Sequence, residues 1–344
     1  MGRDPSRLEE VTLSTDLQHD ADWTNLDVVG GLTVHETLTL SGQNRPTLRF
    51  QNADPQSDAV LDGSGELVLA VSEDGQPGRV QVEGGQALTL GSNLTVRGGY
   101  GRFEKFHGEP AKLINEGTVI ADHAGRWLDV DDSLGFANVG TLYAQNGELS
   151  LPDSENRGLT HIEPNGSLHV NGDFEATSSS RVLFAVADDG SNSTGRFIVD
   201  DEVSVAGTIE IDKPSGFDPA IGTSFDLIDF QSLLGQFNQK EGVSIGADRT
   251  LSLQLDSETL KAVTEAKSAD TQTPTLTLEM PGEDGGVQPG THTITLNFDE
   301  RINATSLGSN NGIQLKGPDG KTKTPQDVRV RQLGKRVELV YVLP

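Results

Sequence analysis

The sequence predicts an all-β chain: a right-handed parallel β-helix (solenoid) followed by a small antiparallel Ig-like β-sandwich. Three observations carry that expectation. Gly65, Gly91, Gly117, Gly140 and Gly166 each open a short β-type phrase, such as Gly117-Thr118-Val119-Ile120-Ala121, and stand 26, 26, 23 and 26 residues apart. A repeat of that size is a unit that cannot bury its own apolar face and must stack on copies of itself. From about Leu26 to Leu260, apolar and polar residues alternate in short runs bounded by Gly, Asn or Asp, so one strand face is buried and the other exposed. Aromatic residues make up only 5% of the 344 while glycines number 40, which suits a narrow coil lined by stacked Leu, Val and Ile.

Residues 1–25 are polar and read as a lead-in or cap; 26–257 read as the β-helix. Its strands include 28–34, 38–40, 80–82, 149–151 and 209–211, with two or three strands in each glycine interval. Some nine or ten coils at about 4.8 Å each predict a stack roughly 45 Å tall. The right hand follows from the general preference of parallel crossovers. After Gly166 the regularity breaks, and the next comparable phrase begins at Gly207. The polar segment 187–195 is expected to project as a loop, and the phenylalanine-dense segment 217–230 to seal the last coil as a cap. Residues 258–273 lack β alternation and read as a linker, with a short helix over 258–267. The pattern restarts in 274–344, where strands over 276–278, 293–298, 313–315, 328–330 and 337–339, with a turn at 317–320, describe the antiparallel sandwich.

A formal net charge of −26 argues against nucleic acid and acidic membrane surfaces as partners, because both require a surplus of Lys and Arg. With no cysteine, disulfides and thiol catalysis are excluded. No apolar run resembles a signal peptide or a membrane span. Either the protein is cytoplasmic or the chain is a piece of a longer exported protein, joined to other domains; Pro344, directly after the apolar stretch 337–343, favours the second expectation.

The phrases 195–199 and 205–209, followed by Phe225-Asp226-Leu227-Ile228 and Gly235-Gln236-Phe237, resemble the terminal coils of bacterial autotransporter-like and adhesin-like passenger regions. Asn115-Glu116-Gly117-Thr118 and Asn138-Val139-Gly140-Thr141 are similar to the Asn-x-Gly-Thr phrases of those coils. Residues 290–307, with Ile294-Thr295-Leu296-Asn297-Phe298 before the acidic pair Asp299-Glu300, resemble the opening half of the bacterial Ig-like domain of S-layer and other surface proteins. Together these resemblances imply an extracellular, surface-displayed bacterial protein; neither implies catalysis.

The candidate sites are few. Tyr100, Arg102, Phe103, Lys105 and His107 gather aromatic and basic groups in what reads as an insertion, suited to gripping an anionic sugar by stacking and charge; otherwise it is an aromatic plug over a coil edge. Asp129, Asp131 and Asp132 are candidate ligands for Ca²⁺ at a coil corner, against the plainer reading of a solvated turn. The seven histidines are dispersed without metal-binding spacing, and His35 and His169 read as outward-facing strand residues. The leading expectation is a non-enzymatic stalk or ligand-presenting scaffold whose partner is an extracellular glycan or a surface protein. The competing ones are a polysaccharide lyase or hydrolase on the same scaffold, and a Ca²⁺-rigidified surface array.

Overall fold

The computed structural model describes residues 6–51, 57–70, 75–187 and 193–267 with their side chains, and the backbone of six strands beyond residue 267. All described secondary structure is β, with no helix among the described residues. The chain divides into two compact units, 1–267 and 268–344.

In the first unit, parallel strands stack in three ladders. One is a ten-stranded sheet that runs from Leu17–His19 to Gln239–Glu241. The other two lie within a 21-stranded sheet, and the strands Ser6–Leu13 and Asn25–Val34 bend to serve both. Asn25–Val34 pairs with Thr47–Phe50 through its first half and with Ala59–Asp62 through its second. The bend falls at Gly30 and Gly31, whose φ angles of 77° and 101° suit glycine alone. Each later coil visits the first, second and third ladder in turn, as Tyr100–Lys105, Ala111–Asn115 and Thr118–Ala121 do. These ladders fit a β-helix-like solenoid, and ten strands at about 4.8 Å give a stack about 43 Å tall.

Parallel register without shift places like residues over like. Leu48, Val80, Phe103 and Val130 form one inward column, and Leu38, Leu67, Val96, Val119 and Leu142 form another. Each is buried. Complete burial of one such side chain contributes about 1.5–3 kcal/mol, so the core is a long sum of equal small terms. Three asparagines extend the principle to polar groups. Asn115 donates to Asn138 Oδ1 at 2.8 Å, and Asn138 donates to Asn156 Oδ1 at 2.7 Å, all three being buried at one corner.

The structure corrects several expectations. Residues 6–19 are not a lead-in but the first described coil; with a paired strand on one side only among the described residues, its strand Ser6–Leu13 stays largely exposed and carries little apolar alternation. Gly65, Gly117 and Gly140 stand directly before strands of the third ladder, and the true continuation of their column is Gly158, not Gly166. Gly166 precedes Ser167–Val170 of the first ladder, at a different corner. The coil that joins Thr141 to its register partner Leu159 is short, which is why a fixed period overshoots. Gly91 lies in the same corner as Gly65, but Leu94 takes the column position there.

The segment 258–267 is neither helix nor linker. Thr259–Ala266 is a strand, antiparallel both to Arg249–Asp256 and to Ser224–Asp229 of the last coil. Its inward residues are Leu260, Ala262 and Thr264, so a buried threonine interrupts the apolar signal. The phenylalanine-rich segment supplies the last coil itself, with Phe225 and Phe230 buried, while this hairpin lays Leu251 and Leu260 against the core. Of the expected loop 187–195, Val186 and Thr194 form an antiparallel bridge at its base, and 188–192 lie outside the described residues.

In the second unit a four-stranded antiparallel sheet has the order Leu276–Glu279, Gly290–Phe298, Arg336–Leu343, Val328–Leu333. A separate two-stranded ribbon joins Leu315–Lys316 to Thr322–Lys323. The expected turn at 317–320 and the acidic pair Asp299-Glu300 lie outside the described residues.

Candidate functional site

The aromatic and basic residues singled out in the sequence do not form an insertion. Tyr100–Lys105 is a regular strand of the first ladder, paired on both sides. Alternation therefore divides the group: Phe103 points into the core and is 1% exposed, which removes it from any ligand surface. His107 lies past the strand end, where it stacks on Phe106 with ring centroids 4.2 Å apart and its Nδ1 lies 2.7 Å from Glu83. Lys105 Nζ donates to the Gly108 carbonyl. Tyr100 meets Trp127 edge-on at 4.9 Å, and Arg102 and Arg126 lie over the Trp127 and Tyr100 rings respectively.

Arg102 is the member best placed for an anionic sugar, yet its charge is already engaged. Register sets it between Arg79 and Asp129, and its Nε lies 2.7 Å from Asp129 while Nη1 lies 3.4 Å from Asp131. The pattern continues down the ladder, with Arg79 donating to Glu104 at 2.6 Å and Arg49 to Gln81 at 3.2 Å. Stacked strands thus convert this part of the outer face into a chain of internal ion pairs and hydrogen bonds, half shielded from water. Burial pushes the Asp129 carboxyl above its ordinary range, against the opposing effects of Ser150 and Arg102. Burial acts on Asp131 too, but hydrogen bonds from Ser133 and the Arg102 charge outweigh it and hold that carboxyl low. Asp132 is exposed. The three aspartates are therefore not gathered for Ca²⁺: two of them face Arg102, and among the described residues no set of three carboxylates or imidazoles gathers to hold a metal ion.

A second cluster, which the sequence did not suggest, lies where third-ladder strands turn toward the first. Arg97, Asp122, His123, Tyr143 and Glu163 line an open groove of about 530 Å³. Thr95–Gly98, Thr118–Ala121, Thr141–Ala144 and Leu159–Ile162 stack beneath it, so side chains far apart in sequence stand one strand spacing apart. No known protein family matches this chain, and no characterised protein is detectably similar to it in sequence. The groove must be understood from its own chemistry.

Arg97 Nε and Nη2 both donate to Asp122 Oδ2, at 2.8 and 2.6 Å, and this hydrogen bonding raises the Arg97 pKa. His123 Nδ1 lies 2.6 Å from the other Asp122 oxygen. One coil on, the Tyr143 hydroxyl donates to Glu163 Oε1 at 2.8 Å, and the Tyr143 and His161 rings stack 4.4 Å apart, 13° from parallel. Burial first, and then the Glu163 hydrogen bond, push the Tyr143 phenol up to about 12, so it remains a proton donor at neutral pH. Tyr143 and His161 share a column because their strands are in register, Tyr143 opposite His161. The signal available in the sequence was the outward position of Tyr143 in Gly140-Thr141-Leu142-Tyr143-Ala144; nothing local placed Arg97 or Glu163 beside it.

Proposed function

We propose that the chain is a non-enzymatic segment of an extracellular bacterial surface protein, a right-handed parallel β-helix followed by an Ig-like module, serving as a stalk or ligand-presenting scaffold. One observation carries this reading most: on the outer face of the first ladder Arg79 pairs with Glu104, and Arg102 with Asp129 and Asp131, on strands held in register from coil to coil. A face built of paired charges suits an extended stack in which each coil holds the next. The resemblance of 195–237 to adhesin-like terminal coils and of 290–307 to bacterial Ig-like domains points the same way, as does the acidic surface.

The convergence of Arg97, Asp122 and Glu163 on one groove favours a second reading, a polysaccharide-degrading enzyme. Against it, a phenol titrating at about 12 is a poor proton abstractor near neutrality, and Arg97 is held on Asp122. The test is incubation of the purified chain with acidic and neutral polysaccharides, monitored for new reducing ends and for unsaturated products. The scaffold reading expects neither; turnover abolished by Glu163→Gln replaces it with the enzyme.

A further inference from the structure

We propose that the groove between Arg97 and Asn165 is a binding site for a neutral oligosaccharide lying along the stacking direction of the coils. The inference rests on the reading of the chain as a presenting scaffold and gives that scaffold its ligand class.

Four features lead there. The groove, about 530 Å³, falls within the ordinary range of ligand pockets, and its four stacked strands span three spacings, about 14 Å, which exceeds one sugar ring. The side-chain amides of Gln145, Asn146 and Asn165 line it without a protein hydrogen-bond partner among the described residues. Each offers a donor and an acceptor on one planar group, the combination that satisfies neighbouring hydroxyls of a pyranose. Glu163 spends Oε1 on Tyr143, and its second oxygen is a further acceptor held in place by that bond. Pro164 and the edge of the Tyr143–His161 stack add an apolar wall for the C–H face of a ring.

Charge selects among sugars. The groove lining holds one arginine, Arg97, against two carboxylates, Asp122 and Glu163, within a chain of net charge −26, so uronates and sulfated sugars are repelled. A peptide is disfavoured for a different reason. Strand addition needs an unpaired backbone edge, and Thr118–Ala121 and Thr141–Ala144 beneath the groove are each paired on both sides.

The experiment titrates the full chain by calorimetry with neutral oligomers of glucose, mannose, xylose and N-acetylglucosamine, and with oligogalacturonate and heparin fragments as acidic comparators. At least one neutral oligomer is expected to bind at least 10-fold tighter than either acidic one. The double variant Gln145→Ala/Asn165→Ala, at two exposed positions, is expected to weaken that binding 10-fold or more, while Lys112→Ala on the second ladder leaves it unchanged. Thermal melts of the variants establish that they fold, and Asn165→Ala alone is measured if the double variant melts early. Absence of binding by every neutral oligomer at millimolar concentration, equal or tighter binding of the acidic ones, or unaltered affinity in the folded variant overturns the proposal. Cleavage is scored separately: a bound oligomer that is also cut preserves the site and overturns the scaffold reading, whereas no binding and no cutting does the reverse.

Discussion

At Tyr143 a single hydroxyl links two coils, because its acceptor Glu163 arrives from the turn after the next third-ladder strand. The phenol is pushed to about 12 by burial and by that carboxylate. Glu163→Gln removes the charge that opposes phenolate formation, so the Tyr143 titration, followed by ultraviolet absorbance, is expected to move down toward the ordinary tyrosine value; an unmoved midpoint would show that burial alone sets it. Asp131 tests the opposite sign. Its carboxyl is held below the ordinary value of 3.8, so its contribution to stability is present above that pH and is lost as pH falls through the lowered value. The difference in melting temperature between the parent and Asp131→Asn should therefore be largest near about pH 6 and close as pH approaches about 2. A difference independent of pH removes the assignment.

The corner between second and third ladders decides whether coils can stack. At Gly140 an added Cβ would lie 2.1 Å from the Gly117 carbonyl oxygen and 2.5 Å from Glu116, with only backbone there to yield. At Gly135, within Leu134–Asn138, the nearest atom is 3.8 Å away and belongs to the Lys112 side chain. Gly140→Ala is thus expected to cost about 3 kcal/mol or more, and Gly135→Ala to be neutral or stabilising by about 0.5–1 kcal/mol, in denaturant unfolding. Equal effects would mean that the corner spacing is not fixed. The buried asparagines make a companion case. Asn138→Ala strips Asn156 Oδ1 of its donor and Asn115 of an acceptor, for an expected loss of about 2–4 kcal/mol, whereas loss of an exposed asparagine such as Asn165 costs little.

Much of this element-level design was legible. Alternation gave the ladder strands, and Gly117-Thr118 and Gly140-Thr141 marked the tight corner correctly. Gly166 misled because two corners of one coil both demand glycine, and sequence spacing does not say which corner a glycine serves. The terminal hairpin was hidden in Glu258-Thr259-Leu260-Lys261-Ala262-Val263, whose good helix formers outweigh a period-two pattern blurred by Thr264. The groove was illegible for a different reason. Arg97, Asp122, Tyr143 and Glu163 come from four successive coils, and only the register of the third ladder unites them.

Over the whole molecule, a net charge of −26 means that exposed carboxylates repel one another, while the paired cations of the first ladder are partly shielded. Raising sodium chloride from about 0.01 to 0.15 M shortens the screening length from about 30 to 8 Å and relieves the repulsion more than it weakens the shielded pairs. The thermal midpoint is expected to rise over that range. A fall would mean that the ion-pair columns, rather than the apolar stack, dominate stability.

The crowded glycine corner has one more outcome, for how such a chain can acquire new sequence. Gly117, Gly140 and Gly158 press backbone on backbone and leave no room for an added side chain, let alone an extra residue. The bend from the third ladder to the first carries connections of unequal length, from the single residue Gly99 to the segment 213–223. The glycine edge behaves as a binding spine and the long 213–223 segment, where a Cβ added at Gly216 or Gly222 meets nothing within 4 Å, as an open margin: foreign peptides spliced between 213 and 223 should be carried outward with the pages kept in order, whereas the same graft at Gly140 would tear the volume.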